Sequence, residues 1–206
     1  SILYLIALCH LGLLGKPFHV YSPSSKQNTL WIVKAIPKGE SLKLEVVEKV
    51  KFGFSGRVIT AHPSKPLLYV TATGGDPGKV PGAVVFLNKD GSYQKHQNIN
   101  FNDGACYLSL DKENRHILGV SYGNGRLNVY PLDDDGIPGK AVTTIDEGKK
   151  EAHCVLLPPD GMNVYIPYVK GNLAILQYAY DGKTGKVTPL EPKEAKPPLG
   201  SGPRHM

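Results

Sequence analysis

A repeat of about 48 residues runs along this 206-residue chain and limits the folds open to it. Three segments share one pattern: an apolar stretch, a polar Pro/Asp turn, and a second apolar stretch rich in Tyr, Val and Ile. They are VITAHPSKPLLYVTA (58–72), YLSLDKENRHILGVSY (107–122) and VLLPPDGMNVYIPYV (155–169). Aligned on His62, Asp111 and Pro158, they stand 49 and 47 residues apart. A second strand pair follows in each unit, as in GRLNVYPLDDDGIPGKAVTTI (125–145) and GNLAILQYAYDGKTGKVTPL (171–190), with Asp-Gly and Thr-Gly as turn signals. The alternation at Leu127, Val129 and at Leu173, Ile175 suits strands with one face buried. No segment carries a sustained i, i+3, i+4, i+7 apolar stripe between caps, so no long helix is expected.

About four short strands per unit, repeated at this period, is the pattern of a β-propeller blade. The fold class expected is all-β: a propeller present as a partial ring of about four blades, with under about a tenth of the chain in helix. The first unit is the least regular and reads as three strands, 18–23, 29–36 and 42–50. GSGPRHM (200–206) opens a fifth unit, so the remaining blades of a longer parent chain are expected as partners. An open arc of blades exposes apolar flanks and unpaired edges, and is expected to self-associate.

Composition is that of an ordinary globular protein, with 41% apolar and 20% charged residues. The net charge of +6 makes anionic partners attractive. The lysines and arginines are scattered, with no block longer than Lys149-Lys150, and a nucleic-acid surface is not expected. Cys9, Cys106 and Cys154 form no disulfide framework and no zinc pattern, and read as small core residues. The apolar run Ile2–Leu14 is too short to cross a bilayer as a helix, and no membrane partner is expected. It has the length of a signal-peptide core but lacks a basic start and an A-x-A-like site. Residues 1–16 therefore read as an apolar leader ahead of a partial propeller at 17–206. The location expected is cytoplasmic, or exported if residues 2–14 are a signal remnant.

Two stretches carry a family resemblance. GACYLSLDKENRHILGVSYGNGRLNVYPLDDDGIPG (104–139) is similar to the lactonase-type seven-bladed propellers, which include 6-phosphogluconolactonases and carboxymuconate cyclases. EAHCVLLPPDGMNVYIPYVKGNLAILQYAYDGKTGKVTPLEPKEAKPPLGSGPRHM (151–206) is closer still, with Ala152-His153 opening one blade and G-x-GPRH, Gly200 to His205, opening the next. The resemblance implies that His153 and Arg204 are catalytic, and that His205 and Tyr122 lie at the substrate cleft. It also implies a glutamate and a second arginine past Met206. The family often has His where this chain has Tyr107.

The chemistry of these residue types fits a lactone hydrolase acting on a small anionic sugar lactone. Arg204 can grip an acid group with its two-pronged fork, and His153 can move a proton near neutral pH. Either Arg204, His205 or backbone N–H groups can steady an oxyanion. There is no G-x-S-x-G nucleophile elbow, and no metal or cofactor is expected. His153 and Arg204 stand 51 residues apart, close to one repeat, so their side chains are expected to converge on the central channel. On a strand, His205 would face away from Arg204 and serve as a structural hydrogen-bonder. His62 reads as a turn residue, and Gly123–Gly125 as a hairpin turn rather than a phosphate loop. The alternatives are a carboxymuconate-type lactonising enzyme and a propeller used only as a binding scaffold. A 206-residue piece is expected to be inactive alone.

Overall fold

Each repeat becomes one antiparallel sheet. The computed structural model describes residues 15–170, 173–198 and 200–205, so the leader at 1–14 lies outside the described residues. The first sheet pairs β1 (Phe18–Ser24), β2 (Thr29–Lys38) and β3 (Ser41–Lys51) in chain order. The second holds β4 (Val58–Ala61), β5 (Leu67–Thr71), β6 (Val80–Leu87) and β7 (Tyr93–Phe101), and the third β8 (Tyr107–Leu110), β9 (His116–Val120), β10 (Leu127–Pro131) and β11 (Thr143–Ile145). The fourth pairs β12 (Asn163–Tyr168), β13 (Ala174–Asp181) and β14 (Lys186–Ala195). None of the described residues is α-helical.

Strand periodicity determines how the sheets stack. On β9, Ile117 points into a core shared with the first two sheets, while Leu118 and Val120 point into a second core shared with β12 and β13. A strand buried on both faces must lie between two sheets, and all five residues of β9 are buried. The same holds for β5. On β13 the buried positions alternate, Ala174, Leu176, Tyr178 and Tyr180, so the third sheet is covered by one face of the fourth.

Tyrosine hydroxyls join the sheets. Tyr21 donates to the Gly91 carbonyl at 2.6 Å, Tyr69 to Gly136 at 2.9 Å and Tyr168 to Gly125 at 2.8 Å. Tyr180 donates to the Asp111 carboxylate at 2.9 Å and Tyr178 to Glu147 at 3.0 Å. Each hydroxyl reaches out of its own sheet toward the neighbouring repeat, Tyr21 and Tyr69 forward and the other three back, which satisfies a polar tip that burial would otherwise leave without a partner.

The turns between the first and second strands of the second and third sheets are tied by the aligned positions. Buried His62 accepts the Ser64 and Lys65 amides on its Nδ1, at 3.2 and 3.0 Å. Buried Asp111 accepts the Arg115 and His116 amides on Oδ1, at 2.8 and 3.2 Å, and pairs with His116 Nδ1 through Oδ2 at 3.0 Å. His62 thus works as a turn residue.

The fourth sheet departs from expectation on its inner side. Residues 152–156 meet β12 only through isolated bridges, Ala152 to Tyr168 and Leu156 to Tyr165. Pro167 lies between the two partners on β12 and has no N–H to give, so the ladder cannot run continuously. His153 sits at this interruption, its own N–H bonded to the Pro167 carbonyl at 3.0 Å.

The outer strand β3 leaves Leu42, Leu44, Val46 and Val47 between 46% and 64% exposed. Leu44 and Val46 lie opposite Ala35 and Val33, so they share one face of the sheet. An apolar strip on an edge strand favours association. Sedimentation of this chain is expected to show concentration-dependent self-association, weakened by Leu44→Lys with Val46→Lys. A monomer at all concentrations would contradict this.

Candidate functional site

Four stretches of chain meet at the inner ends of the third and fourth sheets. Their meeting depends on one glycine. Gly125 ends the β9–β10 turn at φ +74°, and a Cβ there would lie 1.7 Å from the Lys149 carbonyl oxygen. Only glycine permits this approach. It brings the 121–126 turn against 149–151, where the Glu151 amide bonds the Tyr122 carbonyl at 2.8 Å. Tyr122 and the segment leading into His153 are thereby held side by side.

The His153 ring is packed on two sides. Tyr122 meets it edge-on with ring centres 5.9 Å apart, and His205 meets it at 4.9 Å with the planes at 90°. His205 also lies 6.0 Å from the ring of Tyr107, the first residue of β8. His153 Nδ1 is shut off from solvent and has no hydrogen-bond partner among the described residues. Burial holds the imidazole below its ordinary pKa of 6.5, and the positive charge of Arg204 and then His205 pushes the same way. Arg204 therefore lies close enough to act on His153 electrostatically, and it is itself exposed.

The site residues named from sequence thus fall in one place, with two differences. Residues 201–205 form no strand, so His205 and Arg204 are not bound to opposite faces, and His205 stacks toward His153 instead of bonding the scaffold. Tyr107 also belongs to the cluster. Burial raises its phenol pKa, and the neighbouring Cys154 adds to that.

Cys106 fastens the floor. Its thiol points at the Ala152 carbonyl, 3.1 Å away, with the Val120 carbonyl at 3.4 Å. Burial pushes its pKa up to about 12, so it stays a thiol and is no nucleophile. Neither Cys106 nor Tyr107 belongs to a motif. The signal that marks them is the repeat: 47 residues further on stand His153 and Cys154.

An arginine, two imidazoles and two phenols around one spot suit a small polar or anionic ligand. The family described as lactonase, 7-bladed beta-propeller, matches residues 22–206. The chain belongs to that lactonase family. The 6-phosphogluconolactonase of Cronobacter sakazakii is 29% identical over 187 residues, which cover 90% of this chain and 52% of that protein. That of Klebsiella pneumoniae is 28% identical over 185 residues, with the same coverage. Among solved structures, the periplasmic gluconolactonase of Pseudomonas aeruginosa superposes with a TM-score of 0.76 at 17% identity, over 92% of this chain and 58% of that one. This lactonase-family chain spans about half the length of the curated relatives it matches.

Two histidines of this lactonase-family chain bear on its behaviour in acid. His62 and His153 are both held below the ordinary 6.5, chiefly by burial, with Lys65 contributing at His62. Above about pH 6.5 neither the folded nor the unfolded form carries these protons, and stability is full. As pH falls below that, the unfolded chain takes up protons first and stability is lost toward the lower folded pKa values. The melting temperature is expected to fall between pH 7 and pH 5. His62→Asp should flatten that loss, because a carboxylate can accept the same two turn amides without binding a proton in this range. An unchanged slope in that variant would remove His62 from the account.

Proposed function

We propose that this chain carries one side of the active site of a lactone hydrolase acting on an anionic sugar lactone, of the 6-phosphogluconolactone type. The observation that carries the proposal is the convergence of His153 and His205, 4.9 Å apart, with the Arg204 charge acting on His153. The names of the two curated relatives support the substrate class. A guanidinium matches the geometry of a phosphate, and the imidazole and phenol groups beside it can hydrogen-bond an acyl oxygen. In the reaction, water adds to the acyl carbon and the ring C–O bond breaks. Its electron pair stays on the ring oxygen, which becomes a hydroxyl, and the acid product releases one proton at neutral pH.

The remaining blades of a seven-bladed ring would complete the cleft. The site would work in the cytoplasm, where a phosphorylated sugar lactone is held. The test is a pH-stat assay on a polypeptide of the relatives' full length that includes these residues, with 6-phosphogluconolactone and gluconolactone as substrates. Hydrolysis of the phosphorylated lactone well above the uncatalysed rate is expected. No rate above background for either lactone would overturn the proposal.

A further inference from the structure

Histidine in a hydrolase is commonly given the task of moving a proton. The surroundings of His153 assign it a different one. To accept a proton at Nε2, an imidazole must begin as the Nδ1–H tautomer and end as an imidazolium with both nitrogens protonated. Both forms place a proton on Nδ1. That atom is buried and makes no hydrogen bond of ordinary geometry among the described residues; only the main chain of His153 itself lies close enough to favour a proton there. A buried N–H without an acceptor is the costlier orphan, and a bare ring nitrogen the lesser one.

His116 shows the contrast within the same fold. Its Nδ1 faces the Asp111 carboxylate at 3.0 Å, which fixes the tautomer and would steady a charged ring. Around His153 the groups are of another kind. The 200–205 segment contributes the Arg204 and His205 charges, the turn after β9 contributes the Tyr122 ring, Cys106 just before β8 contributes its thiol, and β8 contributes Tyr107 behind His205. Burial first and positive charge second oppose an imidazolium there, and together they outweigh the opposite pull of the residue's own main chain. The ring is only half-buried, and Nδ1 is the nitrogen that is shut off from solvent.

We infer that His153 is a neutral hydrogen-bond donor, holding the acyl oxygen of the lactone through Nε2–H, and that it neither takes nor gives up a proton during turnover. This rests on the lactone hydrolase proposal for its substrate but not for its tautomer. The two edge-on ring contacts hold the donor in one orientation, which is what steadying a developing oxyanion requires.

The test begins with the tautomer, read by long-range proton–nitrogen NMR on the 206-residue chain carrying nitrogen-15 histidine. The His153 signals are assigned by their loss in His153→Gln, or through the backbone of the wild-type chain if that variant does not fold. The expected result is an Nε2–H ring that is neutral at pH 7 and takes up its proton only below the ordinary imidazole pKa of 6.5. An Nδ1–H ring, or an imidazolium at pH 7, overturns the inference. The second arm is turnover in the full-length ring. Glutamine keeps an N–H near the Nε2 position but cannot exchange a proton, so His153→Gln should lose no more than about tenfold, while His153→Ala loses roughly 10²–10³-fold. Equal loss in the two variants overturns the donor role. Absence of turnover in the wild type overturns the lactonase proposal instead and leaves the tautomer measurement standing.

Discussion

Arg204→Ala, in a protein of the relatives' full length, should lower kcat/KM for the phosphorylated lactone by about 2–5 kcal/mol, roughly 30- to 5,000-fold. The residue is exposed and acts on His153 through its charge, so it is placed to meet an anion entering the cleft. Removing it would leave the phosphate without its guanidinium partner. Arg204→Lys should recover only part, because a point charge replaces a planar fork. The comparison that decides its role is the uncharged gluconolactone. A residue that grips the phosphate affects that substrate little, whereas one that steadies the acyl oxygen affects both alike. Wild-type rates on both lactones would remove Arg204 from the site.

Asp111→Ala should destabilise the fold by about 3–5 kcal/mol, the cost of stranding the partner of a buried pair. The carboxylate is 4% exposed and accepts two turn amides, His116 Nδ1 and the Tyr180 hydroxyl from the next sheet. Alanine leaves all four donors without acceptors and opens the junction between the third and fourth sheets. Asp111→Asn keeps one oxygen for the two amides and should restore about half of the loss. Denaturant unfolding of the three proteins measures this. A loss within about 0.5 kcal/mol for alanine, the size of a surface change, would show that the junction does not depend on the carboxylate.

The sheets were legible in sequence because their signal is local. Period-2 apolar alternation and turn residues need no knowledge of what packs against them, and the three strands expected at 18–23, 29–36 and 42–50 lie within β1, β2 and β3. The family-derived cluster of His153, Tyr122, Arg204 and His205 was legible because a repeat returns equivalent positions to the same end of successive sheets. What sequence did not reveal depends on partners distant in the chain. The first strand expected in the fourth unit, from Val155, is reduced to isolated bridges beside Pro167, whose pairing partner cannot be read from either segment alone. His205 was expected to point away from Arg204 because a strand was assumed, and residues 201–205 form none. Tyr107 and Cys106 enter the site through contacts with His205 and Ala152; the repeat spacing marks their positions, but not the partners they meet there.

The tyrosine hydroxyls bear on how such a chain can be rearranged by recombination. Tyr69, Tyr168 and Tyr180 each reach a specific acceptor 43 to 69 positions away, in the neighbouring repeat. A crossover between sheets, at 102–106 or 146–151, looks harmless because it spares every strand, yet it parts Tyr69 from the Gly136 carbonyl or Tyr180 from Asp111. A crossover within a sheet, between β9 and β10 for example, cuts a ladder and parts both of these pairs as well. For grafting or duplication, the natural module of this chain is therefore the seam between two sheets, inherited with both of its sides, and not the sheet that the eye picks out.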